Sequence, residues 1–523
     1  MDSLFNPLAD ALGASVDQIK LISCLLISYP LGSAFIRINS PALKHAFSIL
    51  VAFIYLIPIL HLNTGSLQLL ASSLGTYFIA ANVKGPNMPW IVFVFVFGHL
   101  TVNHIIRALF NLSYETFEVT GPQMVLTMKL TTYAWNIWDG RRPVEELDRW
   151  QKEKRIVQAP SLLSFLGYVC YFPGILVGPY LEFADYMSLV EGTVFKNVKA
   201  EDRKNDYSII PRGRKRVAYR KLVIGLAFLG TFVVYGGQYN FSKTVSPEFA
   251  TYSLPYRIAI FQLFGFLERT KYYAIWTLTE GAAILTGLGF TGFGPSGNSL
   301  WGGAANVQIT SIEWAPNFKV LLDSWNMKTN VWLRECIYKR VTPKGKKPGF
   351  RSSMITFATS AFWHGIAGGY YLTFILGGFV QTIGRLCRSN LRPLVLPATY
   401  VASRDAPPPP QTTVKRIYDI VGSLCTVLVL NYIAAPFMLL SIKDSLLAWS
   451  RLGHYGLIMI VVSLAFFYGP GTGIVRRMQS KRVKAAGGKS TNGSASSTPG
   501  TPMPQVMPDV FANDLAKKLE KAD

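Results

Sequence analysis

Charge is scarce in this chain. Only 15% of its 523 residues are Asp, Glu, Lys or Arg, while 50% are hydrophobic; a soluble domain carries about 25% charged residues. With a mean hydropathy of +0.27, that shortage excludes an ordinary soluble enzyme and argues for a polytopic membrane protein. Acidic residues are the scarcer sign, 29 against 52 basic ones, for a net charge of +23. Cysteine is scarce too. The five (Cys24, Cys170, Cys336, Cys387 and Cys425) lie far apart with no C-x-x-C pair, which argues against a disulfide framework and a zinc site. No repeat of fixed period is visible. No basic stretch precedes the first apolar run in "MDSLFNPLADALGASVDQ", so no cleavable signal peptide is expected and that run should stay as a helix.

Long apolar runs are what the chain has instead. A membrane-crossing helix needs roughly 20 mostly apolar residues, because nothing in the hydrocarbon satisfies a bare backbone. Candidate spans fall near 19–37, 45–61, 67–83, 90–110, 161–180, 220–237, 256–290 (long enough for two), 353–388 (again two), 415–441 and 453–475. The pattern predicts an all-α, polytopic integral membrane protein of about ten to twelve helices, some re-entrant because they are short, broken by Gly or Pro, or polar. Residues 1–18 read as an N-terminal segment, 19–475 as the membrane-embedded domain and 476–523 as a basic, then low-complexity tail, disordered from about 485. The tail's end, "DVFANDLAKKLEKAD", has the pattern of one short helix. "RDAPPPPQ" at 404–411 reads as a stiff connecting loop. Two polar stretches, 133–158 and 313–340, mix tryptophans with charges as amphipathic helices at a membrane surface do.

The basic residues gather in loops between the runs. One group is Arg141, Arg142, Arg149, Lys152, Lys154 and Arg155, and another runs from Arg203 to Lys221. A third is Arg334, Lys339, Arg340, Lys344, Lys346, Lys347 and Arg351; a fourth is Arg476, Arg477, Lys481, Arg482 and Lys484. Such placement follows the positive-inside rule. It suits anionic headgroups or a phosphate-bearing cosubstrate rather than nucleic acid.

Against this background "SAFWHGIAGGYYLTF", Ser360 to Phe374, holds one histidine and no charged residue. An apolar setting favours the neutral, basic form of an imidazole, and polar groups at membrane depth mark function by default. The bland alternative is a histidine satisfied by a backbone carbonyl between helices. The neighbours of His364 weigh against it. Ala367 to Gly369 allow close approach, and Trp363, Tyr370 and Tyr371 have the amphipathic rings to wall a lipid-sized cavity. Upstream, "DSWNMKTNVWLRECIYKRV" carries Trp325, Asn326, Trp332, Arg334 and Arg340. An Asn at the mouth of such a cavity has the groups to hold a carbonyl or stabilise an oxyanion. A general base and a polar positioning residue suit acyl transfer, although spacing alone does not bring them together.

"WNMKTNVWLRECIYKR" followed by "SAFWHGIAGGYYLTF" resembles the two signature regions of the membrane-bound O-acyltransferase (MBOAT) superfamily, in its lysophospholipid acyltransferase branch. "PWIVFVFVFGHLTVNHIIR" at 89–107, "GPQMVLTMKLTTYAWNIWDGRRP" at 121–143 and "YFPGILVGPYLEFADY" at 171–186 agree with that branch, so the resemblance covers about residues 15–475. It implies that Asn326 and His364 form the catalytic pair. It also implies acyl-CoA entering from the cytosol, a lysophospholipid entering from the bilayer, and residence in the endoplasmic reticulum. Acylation at the free glycerol hydroxyl (sn-2), with no metal or prosthetic group, is the expected reaction. One departure is Gly368, where many members have Pro; the expected consequence is a change in local backbone stiffness.

Arg334 and Arg340, nearest the WN motif, are the candidates for the CoA phosphates, and the competing reading is plain topology. Trp325, Trp332, Trp363, Tyr370 and Tyr371 are candidate substrate contacts. Cys336 reads as structural rather than as an acyl-cysteine nucleophile. Asn103 and His104 either line the cavity or close an interhelical bond, with the second preferred. Glu182 and Asp185 read as a helix end; Glu313 either orients Asn326 or pairs with a nearby base. Two other function classes compete. A transporter predicts several intramembrane charges or duplicated broken helices, and neither is clear. A scaffold leaves the Asn326 and His364 motifs without purpose. Another acyl acceptor remains the alternative within the superfamily.

Overall fold

A computed structural model describes residues 2–112, 116–205, 208–343, 346, 349–398, 400 and 409–486. The expectations for residues 404–408 of the proline-rich loop, for Lys344 and Lys347, and for the tail from 487 onward lie outside the described residues.

The described chain is almost entirely helical. Its strands form two small antiparallel hairpins, Arg203–Asn205 with Ser208–Pro211 and Gly292–Phe293 with Ser299–Leu300. Helix starts follow the sequence closely. Ser15 opens Val16–Phe35 with a capping box to Gln18, and Asp148 does the same for Arg149–Lys154 through Gln151; each side chain takes up an otherwise orphaned N–H. Ser40 before Pro41–Ile54 and Ser441 before Ile442–Arg451 cap in the same way.

Among the described residues five helices are long and apolar enough to cross a membrane: Val16–Phe35, Pro41–Ile59, Met88–Leu109, Arg214–Tyr235 and Thr413–Leu439. A sixth arises if Ile442–Arg451 and Tyr455–Tyr468, bent by 84°, make one broken span. The larger number expected from sequence counted runs that form shorter, more polar or single helices, while one long helix inside the bundle, Thr120–Gly140, falls outside every candidate span. Thr120–Gly140 buries Gln123, Thr127, Lys129, Thr131, Thr132, Asn136 and Asp139. Other protein surrounds such a helix, so it need not be apolar all round. Residues 256–290, expected to hold two helices, form one of 33 residues, Leu254–Thr286. The 161–180 run yields only the short helix Leu162–Val169 and a turn at Phe172–Gly174.

The two stretches expected at the membrane surface are corrected in part. Tyr133 to Gly140 finish the buried Thr120–Gly140 helix, and only the 144–154 portion is superficial. Residues 313–340 break into Phe318–Ser324, Met327–Trp332 and a wide π-type turn, Leu333–Tyr338, whose side chains are mostly buried. In both, several charged groups pair within the protein, Lys154 with Asp185, Lys339 with Glu335 and Asp148, and Arg340 with Asp139.

Packing is organised around Leu254–Thr286. Arg214–Tyr235 lies against it closely enough that a Cβ on Gly225 would come within 2.7 Å of the Leu278 side chain, the small-residue contact of membrane helices. One apolar core gathers Leu130, Tyr133, Phe165, Tyr168 and Tyr186 from the first part of the chain. A second gathers Phe261, Phe264, Tyr432 and Trp449 from the rest. A third draws on both, joining Phe97, Met128 and Trp135 to Trp332, Cys336 and Trp363. The site is built on this third cluster.

Candidate active site

His364 is the last residue of the helix Phe350–His364. Gly365 ends that helix at φ 136°, a conformation that a side chain rarely adopts. The imidazole sits among rings: Trp363 at 4.6 Å, Phe437 at 4.8 Å, Phe374 stacked at 5.3 Å and Tyr370 at 5.7 Å between centroids. Among the described residues neither of its nitrogens has a hydrogen-bond partner. His104 shows the opposite. Its Nε2 lies 3.2 Å from the carbonyl oxygen of Trp363, an acceptor only, so Nε2 carries the proton. The interhelical reading of His104 and Asn103 holds, since Asn103 donates to Gln68 and Gln123 at 2.6 and 2.7 Å.

Asn326 lies in a turn between Phe318–Ser324 and Met327–Trp332, at φ 44° and ψ 51°. Asn tolerates this left-handed conformation better than most residues. Its Oδ1 accepts from Thr329 Oγ1 at 2.8 Å and from Asn306 Nδ2 at 3.1 Å. Trp325 anchors the turn to the Leu254–Thr286 helix, edge-on to Trp276 at 5.3 Å and Tyr272 at 5.5 Å. Asn326 and His364 make no direct contact with each other. Their motifs meet through Trp332 and Trp363, whose rings are 5.6 Å apart. Both tryptophans are buried and tied by their indole N–H, Trp332 to Thr131 Oγ1 and Trp363 to the Met124 carbonyl. Tyr370 faces His364 and Phe437. Half-buried Tyr371 meets none of these rings. Gly368 begins the helix Gly368–Asn390, a position whose backbone suits Pro, but a Cβ there would come within 2.5 Å of the Ile442 side chain, which would have to move.

The basic candidates divide. Arg340 is 7% exposed and grips Asp139 with both terminal nitrogens, at 2.9 and 2.5 Å. It also lies over the Trp135 ring. Arg334 uses its Nε for Glu335 at 2.8 Å. Lys339 joins Glu335 and Asp148 at 2.5 and 2.6 Å. Burial works to raise the Asp148 carboxyl, but the bonds from Lys339 and from the Gln151 N–H hold it below its ordinary value. Glu313 pairs with Arg269 through both oxygens, at 2.8 and 2.7 Å, and not with Asn326. Burial pushes the Cys336 thiol up to about 12, and a protonated thiol is no nucleophile. Glu182 and Asp185 sit at the start of the helix Phe183–Val190, and Lys154 pairs with Asp185. No cluster of His, Cys, Asp and Glu with metal-binding geometry occurs among the described residues.

The sequence model of the membrane-bound O-acyltransferase family matches residues 106–433. The chain belongs to this family. A lysophospholipid acyltransferase of Schizosaccharomyces pombe is 37% identical over 96% of both chains. One from Saccharomyces cerevisiae is 36% identical, over 90% of this chain and 77% of its own. The human membrane-bound glycerophospholipid O-acyltransferase 2 is 30% identical, over 86% and 84%. This chain is an integral, multi-pass MBOAT enzyme of the O-acyltransferase class.

For an MBOAT protein, the arrangement offers an imidazole free to take a proton and an amide held in one orientation. Sequence reasoning missed Asn306 and Asp139. Asn306 lies in a glycine-rich connection, "WGGAANVQ", with no periodic or motif signal. Asp139 was absorbed into a segment read as interfacial, though an acid directly before "GRRP" in an apolar helix is a signal for a buried ion pair.

Proposed function

We propose that the protein transfers a fatty acyl group from acyl-CoA to the free sn-2 glycerol hydroxyl of lysophospholipids, in the endoplasmic reticulum membrane. The observation that carries this reading is His364, enclosed by aromatic rings with both nitrogens unpartnered among the described residues. The names of the fungal relatives support the choice of lysophospholipid as acceptor.

The chemistry follows from these groups. Neutral His364 accepts the proton of the lysolipid hydroxyl as that oxygen attacks the thioester carbonyl. Asn326 stabilises the tetrahedral oxyanion with a hydrogen bond. The C–S bond then breaks, and the leaving CoA thiolate takes the proton from the imidazolium to become free CoA-SH. The ester is formed and His364 is neutral again. The scheme calls for no metal or prosthetic group. Trp325, Trp332 and Trp363 keep the reacting groups in register, and Tyr370 walls the acyl chain or the lipid. Tyr371, partly exposed, is a further lipid contact. Arg334 leaves its terminal nitrogens unpaired among the described residues and meets the CoA phosphates. Arg340 would have to release Asp139 to do so.

The test uses membranes from cells expressing the protein, labelled oleoyl-CoA and a panel of lysophospholipids. Acceptor-dependent phospholipid from wild type, absent with His364→Ala at matched expression, supports the reading. Label moving to another acceptor class, or no transfer from folded wild type, contradicts it.

A further inference from the structure

The polarity of an amide side chain is set by its partners, and around Asn326 those partners form a chain with an unambiguous starting point. The backbone N–H of Lys328 can only donate, and it reaches Asn306 Oδ1 at 3.0 Å. Asn306 therefore turns its NH2 toward Asn326, 3.1 Å from the atom facing it. An NH2 needs an acceptor, so that atom is the Asn326 oxygen. Thr329 Oγ1 has one proton and two acceptors in reach, this oxygen at 2.8 Å and the weaker Met128 Sδ at 3.4 Å, and it donates to the nearer, stronger one. Both acceptor sites of the Asn326 carbonyl are then filled by the protein. Its Nδ2, with no partner among the described residues, is the group left for a reactant. The Asn306 carbonyl also accepts from Met327 N at 2.9 Å, so one buried residue, 3% exposed, clasps the turn through backbone and side chain together.

We infer that Asn306 is the positioning residue of the reaction: it fixes the Asn326 turn and its amide polarity, so that Asn326 acts as a donor to the acyl carbonyl and not as an acceptor of the lysolipid hydroxyl. The inference rests on the catalytic reading of Asn326 and adds both the direction of its hydrogen bond and the residue that sets it. An asparagine amide can either donate or accept, and this network selects the donor.

Asn306→Asp separates positioning from bulk. The carboxylate fills the same space and still accepts from Lys328 N, but it has no N–H for Asn326. The Asn326 amide then turns its NH2 toward residue 306 and its oxygen toward the reactant. In purified full-length protein in detergent, kcat should fall roughly tenfold or more while KM for oleoyl-CoA stays within about twofold, as expected of a misdirected transition-state contact. The unfolding midpoint shows whether the variant is folded. Combined with Asn326→Ala, Asn306→Asp should slow the reaction no further, because a positioning residue has nothing left to position. Wild-type kcat in folded Asn306→Asp overturns the inference, and so does an equal additional loss in the double variant. If Asn306→Asp does not fold, Thr329→Val carries the same test: its loss should also vanish in the Asn326→Ala background, and additivity overturns the inference. Asn326→Ala alone separates the two claims, since wild-type activity there refutes the catalytic reading itself.

Discussion

The site is made of two turns with unlike construction. Asn326 and Gly365 both carry positive φ, 44° and 136°; Asn326 opens one helix and Gly365 closes another. The Asn326 turn is held by polar bonds from Asn306 and Thr329, with each acceptor position of its side-chain oxygen filled. At the His364 turn the imidazole itself is held by shape: four rings surround it and no hydrogen bond among the described residues fixes it, while the bond from His104 holds the neighbouring Trp363 carbonyl. The difference matches what each group must do. A group that offers a fixed dipole to a developing charge works best when pre-oriented. A base that takes a proton and returns it needs its nitrogens left open to the reactants.

The largest expected effect comes from removing the open group. His364→Ala should lower kcat by roughly 10²–10⁴, the share of a general base, while any fall in the unfolding midpoint reflects the space left among the four rings and not a lost hydrogen bond. Rates measured at matched folded protein check this. Next is Asn326→Ala, with a fall of about 10²–10³ in kcat, the cost of one oxyanion donor. If the polar turn were only structural, that fall would track a loss of thermal stability instead.

A third variant probes the anchoring of the segment that carries the polar turn. Arg340→Ala takes from fully buried Asp139 its two shortest bonds and leaves the 3.3 Å contact from Arg142. Breaking a buried pair outright costs about 3–5 kcal/mol; with Arg142 still in place the loss should be smaller, read as a lower unfolding midpoint in detergent. Phe374→Leu loosens the shape-held turn without touching a polar group. We expect a loss of several-fold in kcat, smaller than for either catalytic residue, because His364 keeps Trp363, Tyr370 and Phe437. The smallest effect is on pH dependence. The folded-state pKa of Asp148 is depressed, so its contribution to stability is present above the unfolded carboxylate value and is lost as pH falls through the folded one. Unfolding midpoints followed downward from about pH 6 should fall less steeply in Asp148→Asn than in wild type.

Much of this was legible in the sequence because membrane physics writes itself into composition. The charge shortage and the apolar runs announced an all-α membrane protein, and the WN and WHG motifs pointed to Asn326 and His364, though not to the turns that carry them. What hid was the interior. Nothing in the apolar pattern marks Thr120–Gly140 as a long helix, and its last turns read as interfacial, yet it is a buried helix whose Lys129 finds the carbonyls of Tyr168 and Val169 at 3.0 Å. A sequence shows polarity but not the partner that satisfies it. Asn306 was invisible for the same reason, since its importance lies in a contact 20 residues away. The tie of Arg340 to Asp139, 201 residues apart, is likewise a fact of folding rather than of pattern.

The most direct measurement is acyl transfer by purified wild type and His364→Gln under single-turnover conditions, with oleoyl-CoA bound and lysophosphatidylcholine added. The account predicts that the variant binds oleoyl-CoA with an affinity close to wild type yet forms no acceptor-dependent phospholipid on the wild-type timescale. A transfer rate near wild type in the folded variant would contradict it, and would move the proton transfer to another group.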